Sequence, residues 1–316
     1  MSTENEVLLS AQNAVASKEK NHAALTSVIA AVGLTAFKIV VGVLTNSLGI
    51  LAEAAHSALD LVAALVTFFA VRISGKPADT EHTYGHGKIE NLSALFETLL
   101  LLATCVWIIY EAIQRLFFRT AEVEISIWAF IVMATSIAID WGRSRVLYRA
   151  ARKHNSQALE ADALHFSTDI WSSSVVILGL ICVWLASRIP GLAWLHNADA
   201  VAALGVALIV IYVSIELGLR TIHGLLDTAP KGMATRIEAV VSALPGVINC
   251  HHTRLRHSGP DLFVDVHILV DGNLTLVKAH ELTERVEQAI QQLSPGADVT
   301  VHPEPANSTE DVRFKT

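Results

Sequence analysis

Two histidine–aspartate pairs have the spacing expected of metal ligands on helices. His56 and Asp60 form the first pair, and His165 and Asp169 form the second. Residues at positions i and i+4 share one face of an α-helix, with Cβ atoms about 5–6 Å apart. If the two helices face each other, the four side chains offer two nitrogens and two oxygens, a tetrahedral donor set that suits Zn²⁺.

Both pairs lie in apolar segments, where an acidic residue is costly. An Asp at the centre of a bilayer costs about 2.5–3.5 kcal/mol even on the lenient insertion scale, so it needs a compensating partner. Hydrogen bonding between helices is the alternative for one pair alone, but the repetition in two segments favours a shared metal site. Histidine, with an ordinary pKa of about 6.5, can release a proton when a metal binds and regain it afterwards. The pairs therefore predict an exchange of metal against protons.

Six apolar segments reach or exceed the length of about 20 residues that a helix needs to cross the hydrocarbon of a bilayer. The chain is 52% hydrophobic and only 17% charged, whereas soluble domains carry about 25% charged residues. The net charge of −7 does not indicate a nucleic-acid partner. We therefore predict an α-helical membrane protein with a polar tail at 1–20 and a transmembrane domain at 21–227. Its six predicted spans are 22–45, 46–74, 90–117, 124–149, 158–187 and 198–222.

Basic residues are distributed unequally between the two ends of these spans. The ends on the side of the N-terminus carry Lys18, Lys20, Arg72, Lys76, Lys88, Arg143, Arg145, Arg149, Arg152 and Lys153. The opposite ends carry Arg115, Arg119 and Arg188. Because cytoplasmic loops carry an excess of Lys and Arg, both termini are predicted to be cytoplasmic.

Residues 228–305 are too polar to span a membrane and alternate between helical and strand patterns. The predicted order is helix Met233–Leu244, strands Val247–Arg256 and Leu262–Val270, helix Leu276–Leu293 and a short strand Asp298–His302. An order of αββαβ predicts a small cytoplasmic α+β domain of two layers. Residues 306–316 have no core-forming pattern and are predicted to be a flexible tail.

The loop between the second and third spans contains a compact set of possible ligands. Asp79, His82 and His86 are close in sequence, and Gly85 and Gly87 permit the tight backbone that a site there requires. A solvated polar loop without metal is the alternative.

Histidines are also dense in the predicted soluble domain. His267 and His302 both lie on predicted strands and can converge if those strands are adjacent. Exposed histidines without a metal are the alternative. The histidines and the nearby acid are His251, His252, His257, His267, His280, His302 and Glu304.

From about residue 20 to residue 305, the chain resembles the cation diffusion facilitator family. The resemblance rests on the six spans, the paired motifs, the sequence His-Thr-Tyr-Gly-His-Gly-Lys at 82–88 and the histidine-bearing C-terminal domain. It implies a ferredoxin-like or metallochaperone-like C-terminal domain and a homodimer that exports divalent metal ions by alternating access. The two histidine–aspartate pairs would form the transport site.

The resemblance also implies roles for residues outside the spans. Asp79, His82 and His86 match a loop metal site of the bacterial ferrous-iron and zinc efflux branch. Lys88 and Asp227 match a charge pair that links the two protomers. The implied metal ligands of the cytoplasmic domain are His251, His267, His302, the bridging His280, and Glu304, which stands where that branch has Asp.

One departure from the family concerns the choice of metal. His56 stands where the branch with broader metal use has Asp, and imidazole nitrogen favours zinc over Mn²⁺ or Mg²⁺. Only His154 occurs between the fourth and fifth spans, where many eukaryotic members have a histidine-rich loop, and this favours a bacterial inner-membrane protein. The expectation is a Zn²⁺/H⁺ antiporter with zinc also as a structural or regulatory ion.

Three alternatives to a zinc antiporter can be considered, and the sequence argues against the last of them. The same fold could move Fe²⁺, Mn²⁺, Co²⁺ or Cd²⁺ instead, or the protein could be a metal sensor that does not transport. An intramembrane metalloprotease would need a motif such as HExxH, and the sequence has none, so no enzyme activity is expected. Several polar residues in or beside the spans have no predicted role: Lys38, Glu97, Glu111, Asp140, Asp162, Asp199 and Glu216.

Overall fold

The computed structural model describes residues 2–117, 127–188 and 198–306. The chain divides into two compact units. The first contains residues 1–78 and 88–222, and the second contains residues 79–87 and 223–316. The loop 79–87, which is predicted from the sequence to be part of the transmembrane domain, thus groups with the C-terminal domain.

The first unit is helical. Its helices are α1 Ser2–Thr45, α2 Leu48–Ser74, α3 Lys88–Phe117, α4 Ile127–His154, α5 Gln157–Arg188 and α6 Ala198–Leu225. Among the described residues, α1, α2, α3 and α6 each contain a stretch long and apolar enough to cross a membrane. Helices α4 and α5 have 28 and 32 residues but contain more charged and polar side chains. The prediction of a helical transmembrane domain is confirmed.

Helix α1 includes the residues predicted to be a polar tail. It begins at Ser2 rather than near residue 21. Residues 2–32 contain no Gly or Pro, so no helix-breaking residue interrupts the backbone there. Lys20 is buried, with its Nζ 2.6 Å from Oε1 of Glu90 on α3.

Short turns join α1 to α2 and α4 to α5, which makes each pair an antiparallel hairpin. Asn46 and Asn155 have positive φ values of 51° and 49° in these turns, a conformation that Asn tolerates better than most residues. The Ser47 hydroxyl accepts a hydrogen bond from the Ile50 amide and caps α2. The hairpins therefore fix where along α2 and α5 the histidine–aspartate pairs lie. Small buried residues pack between these helices: Ala24, Ala64, Ala151, Ala158 and Ala163.

The C-terminal domain has the predicted αββαβ order. Its elements are α7 Met233–Ser242, β1 Asn249–Ser258, β2 Asp261–Asp271, α8 Leu276–Leu293 and β3 Asp298–Ala306. Strand β2 lies between β1, to which it is antiparallel, and β3, to which it is parallel. Apolar residues from one face of the sheet and from both helices form the core, among them Ile237, Val266, Ile268, Val286 and Ile290.

Strand β3 extends beyond its predicted end at His302. Glu304 pairs with Leu269 of β2, and the ladder continues to Ala306. Pro303 and Pro305 can be accommodated because β3 is an edge strand. On such a strand, backbone nitrogens that point away from the sheet do not need to donate a hydrogen bond to a neighbouring strand. The extension makes Glu304 part of the sheet.

Candidate metal sites

The two histidine–aspartate motifs meet inside the helical unit. Nε2 of His165 on α5 lies 3.2 Å from Oδ1 of Asp60 on α2 and 3.7 Å from Oδ2 of Asp169. Asp60 and His165 are buried. One ligand atom from each of these three residues lies within 4.8 Å of the others. This set can offer one nitrogen and two carboxylate oxygens to a single cation.

His56, the fourth predicted ligand, lies beside this set. Its Nε2 is 3.9 Å from Oδ1 of Asp60, and its side chain is 43% exposed. It lines a cavity of about 460 Å³ together with Asp60 and Asp169. His56 therefore lies next to the three-residue set but is not part of it. Its side chain faces the cavity.

The same cavity is also lined by charged residues for which the sequence predicted no role. Nζ of Lys38 lies 2.8 Å from Oγ of Ser57 and 3.3 Å from Oε2 of Glu53. Asp140 also lines the cavity and accepts a hydrogen bond of 3.1 Å from Arg143. The sequence signalled these residues only as charged side chains, Lys38 and Asp140, within predicted spans.

A buried polar network connects other unassigned residues. Ser27 donates a hydrogen bond of 3.3 Å to Asp162 and accepts one of 3.3 Å from Nε of Arg143. The Arg143 guanidinium lies 3.4 Å from the ring centroid of Phe166.

Glu97 is buried and accepts a hydrogen bond from Thr67. Glu216 is exposed, and the side chains of Glu111 and Asp199 lie outside the described residues.

The loop residues Asp79, His82 and His86 do come together. Nδ1 of His82 and Nε2 of His86 lie 3.5 and 3.3 Å from the two carboxylate oxygens of Asp79. The hydrogen bond from the His82 amide holds the pKa of Asp79 below its usual range, with the Glu81 amide adding to the effect. Gly85 has a φ of 76° in this turn. Asp79 is thus held as an anion beside two imidazoles.

The loop packs against the turn between β1 and β2. The Tyr84 ring lies edge-on to Phe263, with centroids 5.4 Å apart, and the Arg256 guanidinium lies 3.8 Å from the Tyr84 centroid. A Cβ on Gly87 would lie 2.1 Å from the carbonyl oxygen of Ser258. Only glycine permits this approach, which explains why the loop groups with the C-terminal domain.

Three histidines face one another across the sheet. His267 of β2 lies opposite His251 in the antiparallel ladder and opposite His302 in the parallel ladder. Glu304 lies beside them, with Oε2 3.2 Å from Nε2 of His251 and Oε1 2.8 Å from Nδ1 of His267. The hydrogen bond from His267 lowers the pKa of Glu304, and the charge of His251 adds to the effect. His267, His302 and Glu304 can converge on one ion.

His252 was not among the predicted ligands, yet it joins His251 and His267 in a second group of possible ligands. His280 lies elsewhere: it is exposed on α8, with Nε2 3.7 Å from Oε1 of Glu284. In the part of the chain that the structure describes, no candidate ligand group includes His280. Lys88 begins α3, and Asp227 follows α6 with a φ of 57°. The roles of these residues stay predictions.

Comparisons with known proteins identify the family. The family model described as "Cation efflux transmembrane domain" matches residues 24–226. A second, described as "Cation efflux protein, cytoplasmic domain", matches residues 229–306. The chain belongs to the cation diffusion facilitator family. The sequence-based resemblance is confirmed, and the protein is a membrane-embedded cation efflux transporter.

Relatives in the family are similar over almost their whole length. The cation-efflux pump FieF of Salmonella arizonae is 34% identical over 294 residues, which cover 91% of this chain and 93% of FieF. FieF of Cronobacter sakazakii is 35% identical over 292 residues, with the same coverage. Among solved structures, the MamM CTD is 30% identical and covers 24% of this chain and 98% of its own, with a TM-score of 0.23. The Zn form of CzrB is 29% identical, and the match covers 25% of this chain and 91% of the CzrB chain, also with a TM-score of 0.23.

Proposed function

We propose that this cation efflux protein is a Zn²⁺/H⁺ antiporter that works as a homodimer in the bacterial inner membrane. The observation that carries the proposal is the approach of His165 on α5 to Asp60 on α2, at 3.2 Å, with Asp169 at 3.7 Å. Buried carboxylates next to an imidazole form a site that either a divalent cation or protons can neutralise.

The proposed cargo is zinc because of the donor types. With His56, which lies 3.9 Å from Asp60, the site has two imidazole nitrogens and two carboxylate oxygens. Such a mixed set suits tetrahedral Zn²⁺, whereas Mn²⁺ and Mg²⁺ prefer oxygen ligands. Fe²⁺, Co²⁺ and Cd²⁺ are the other cations to test.

The proposed exchange follows from competition for the same lone pairs. A metal ion binds His165 through a nitrogen that carries no proton, so loading a protonated imidazole with metal releases that proton. After the metal leaves on the other side, a proton that returns to His165 restores the hydrogen bond with Asp60. Alternating access of the cavity to the two sides of the membrane would then couple metal export to proton import.

The loop and sheet clusters are proposed to bind metal as structural or regulatory sites. Support comes from the convergence of Asp79 with two loop histidines and of Glu304 with His251 and His267. His280 is proposed to act as a bridging metal ligand of the cytoplasmic domain. The Lys88–Asp227 charge pair is proposed to link the two protomers of the homodimer. The excess of basic residues on one side of the spans supports cytoplasmic termini, as does the match of residues 229–306 to the cytoplasmic domain of cation efflux proteins.

Flux measurements in proteoliposomes test the proposal. The purified protein is reconstituted with a zinc indicator inside the vesicles, and a pH gradient of either sign is imposed. Antiport predicts that zinc accumulates only when protons can leave in exchange. Parallel assays with Fe²⁺, Co²⁺, Cd²⁺ and Mn²⁺ rank the cargo, and a higher rate for any of these would replace zinc. A protein that binds zinc but moves none of them would instead be a sensor.

A further inference from the structure

The group of His251, His252 and His267 differs from the other candidate sites because it contains only imidazoles. Successive residues of a regular strand face opposite sides of the sheet, so neighbouring histidines would normally diverge. Here the β1–β2 ladder shifts register between His251 and Arg254. His252 has a φ of 49° within this bulge. The bulge therefore turns the His252 ring toward the same side as the other two.

The three rings form a nearly equilateral triangle. Their centroids are 5.2 Å apart for His251 and His252, 5.3 Å for His252 and His267, and 5.7 Å for His251 and His267. With a Zn–N distance of about 2.0–2.1 Å, a ring centroid lies about 3.2 Å from the ion, and three rings at tetrahedral angles have centroids about 5.2 Å apart. The observed spacing matches that arrangement.

Glu304 is positioned to orient two of these rings. A histidine that binds a metal usually donates its other ring N–H to a carboxylate or carbonyl, which fixes the tautomer. Oε2 of Glu304 lies 3.2 Å from Nε2 of His251, and Oε1 lies 2.8 Å from Nδ1 of His267. These contacts use one nitrogen of each ring, and an imidazole has two. Donation to Glu304 leaves Nδ1 of His251 and Nε2 of His267 as the basic nitrogens.

We propose that the β1 bulge builds a three-imidazole metal site from His251, His252 and His267, with Glu304 as the carboxylate that orients the rings. The inference rests on the proposed metal-binding role of the sheet and changes its ligand set: His252 is added, and neither His302 nor Glu304 binds this ion directly. The absence of oxygen ligands from protein favours Zn²⁺, Co²⁺, Ni²⁺ or Cu²⁺ over Mn²⁺ and Mg²⁺. A fourth position is open to water or to another ligand.

Co²⁺ binding to the full-length protein in detergent tests the ligand set without any transport assay. The visible absorption of Co²⁺ is strong in four-coordinate sites. The absorption that is present in the unsubstituted protein and absent from His267→Ala is assigned to Co²⁺ bound at the sheet, and it is called the sheet signal. In His252→Asn the sheet signal should vanish, or its Kd should rise at least about tenfold, because loss of a ligand should cost no less than loss of an outer-shell partner, which costs roughly 10–100-fold. His302→Ala and the exposed-histidine control His223→Asn should keep it. Asn tolerates the left-handed backbone, and His252→Gly is a second variant for the same position.

The outcomes separate this inference from the proposed role of the sheet. If His252→Asn and His252→Gly keep the Co²⁺ signal while His302→Ala abolishes it, the ion lies between His267, His302 and Glu304, and the three-imidazole site is wrong. If the unsubstituted protein and His267→Ala bind Co²⁺ identically, the sheet binds no metal, and both its proposed role and this site are wrong. Unchanged melting by circular dichroism in the His252 variants assigns a loss of signal to the ligand rather than to the fold.

Discussion

Nε2 of His165 lies 3.2 Å from Oδ1 of Asp60, although 105 positions separate the two residues in the chain. The contact joins α2, which follows the first of the two short turns, to α5, which follows the second. It brings an imidazole and two carboxylates into one buried group. A cation that binds here is held by both hairpins at once, so relative movement of α2 and α5 would change the site directly.

Removing either carboxylate should abolish transport. In Asp60→Asn and Asp169→Asn the side chain keeps its size but loses its negative charge and most of its strength as a ligand. We expect the Zn²⁺ flux to fall by more than about tenfold in each, while circular dichroism and size-exclusion profiles stay unchanged. Glu160→Gln is the control on α5, because Glu160 pairs with Arg220 away from this group. Near-normal flux in either aspartate variant would disprove the assignment.

The metal range should depend on the ligand at position 56. His56→Asp replaces the imidazole nitrogen, which lies 3.9 Å from Oδ1 of Asp60, by a carboxylate oxygen, and this change weakens the preference for zinc over harder ions. We expect Mn²⁺, the harder ion, to compete better with Zn²⁺ in mixed-metal flux assays that also include Cd²⁺. The control His22→Asp places the same change on the exposed side of α1. Equal competition in His56→Asp and in the unsubstituted protein would mean that another feature selects the metal.

Packing of the loop against the β1–β2 turn should be sensitive to one methyl group. In Gly87→Ala the Cβ would lie 2.1 Å from the Ser258 carbonyl oxygen, and overpacking of this kind costs about 1–3 kcal/mol. We expect faster hydrogen exchange in residues 79–87 and weaker metal binding by Asp79, His82 and His86. Gly205→Ala on α6 is the control, because nothing lies within 4 Å of the added Cβ. Unchanged exchange in Gly87→Ala would show that the loop is not held by this contact.

Zinc should stabilise the C-terminal domain through the sheet histidines. Binding to the folded state alone at free zinc of about 100 times Kd contributes ~2.7 kcal/mol. We expect the melting temperature of the protein to rise with zinc, and the rise to shrink when His267 and His302 are both replaced by Ala. Replacement of the exposed His223 by Ala is the control. A rise of the same size in the double variant would exclude the sheet as the stabilising site.

The order of elements and the pairing of motifs were predictable because both depend on local spacing. The i, i+4 pairs indicated which side chains share a helix face, and the placement of His267 and His302 on two predicted strands indicated that they could converge. The exposure of His56 depends on how α2 packs against its neighbours, which spacing does not report. The approach of Gly87 to Ser258 and the bulge that turns His252 arise from contacts between distant residues. Sequence periodicity carries no information on such contacts.

The last prediction concerns the energy source. Exchange of one Zn²⁺ outward for one H⁺ inward moves one net positive charge out of an inside-negative cell, which costs about 2.3 kcal/mol per 100 mV. Each pH unit across the membrane returns about 1.36 kcal/mol per proton. Exchange for two protons avoids the electrical cost, and His56 and His165 could carry one proton each.

Flux should therefore depend strongly on pH. We expect it to rise as the pH on the loading side passes above the ordinary histidine pKa of about 6.5, because deprotonated nitrogens are then available to the metal. An imposed voltage should change the flux weakly if two protons exchange and clearly if one does, which proteoliposomes with a valinomycin-clamped potential can measure. Protein-free vesicles and Asp169→Asn vesicles give the leak. Zinc uptake that ignored both pH and the pH gradient would mean passive conduction, because a carrier that must exchange protons cannot move metal when no protons can return.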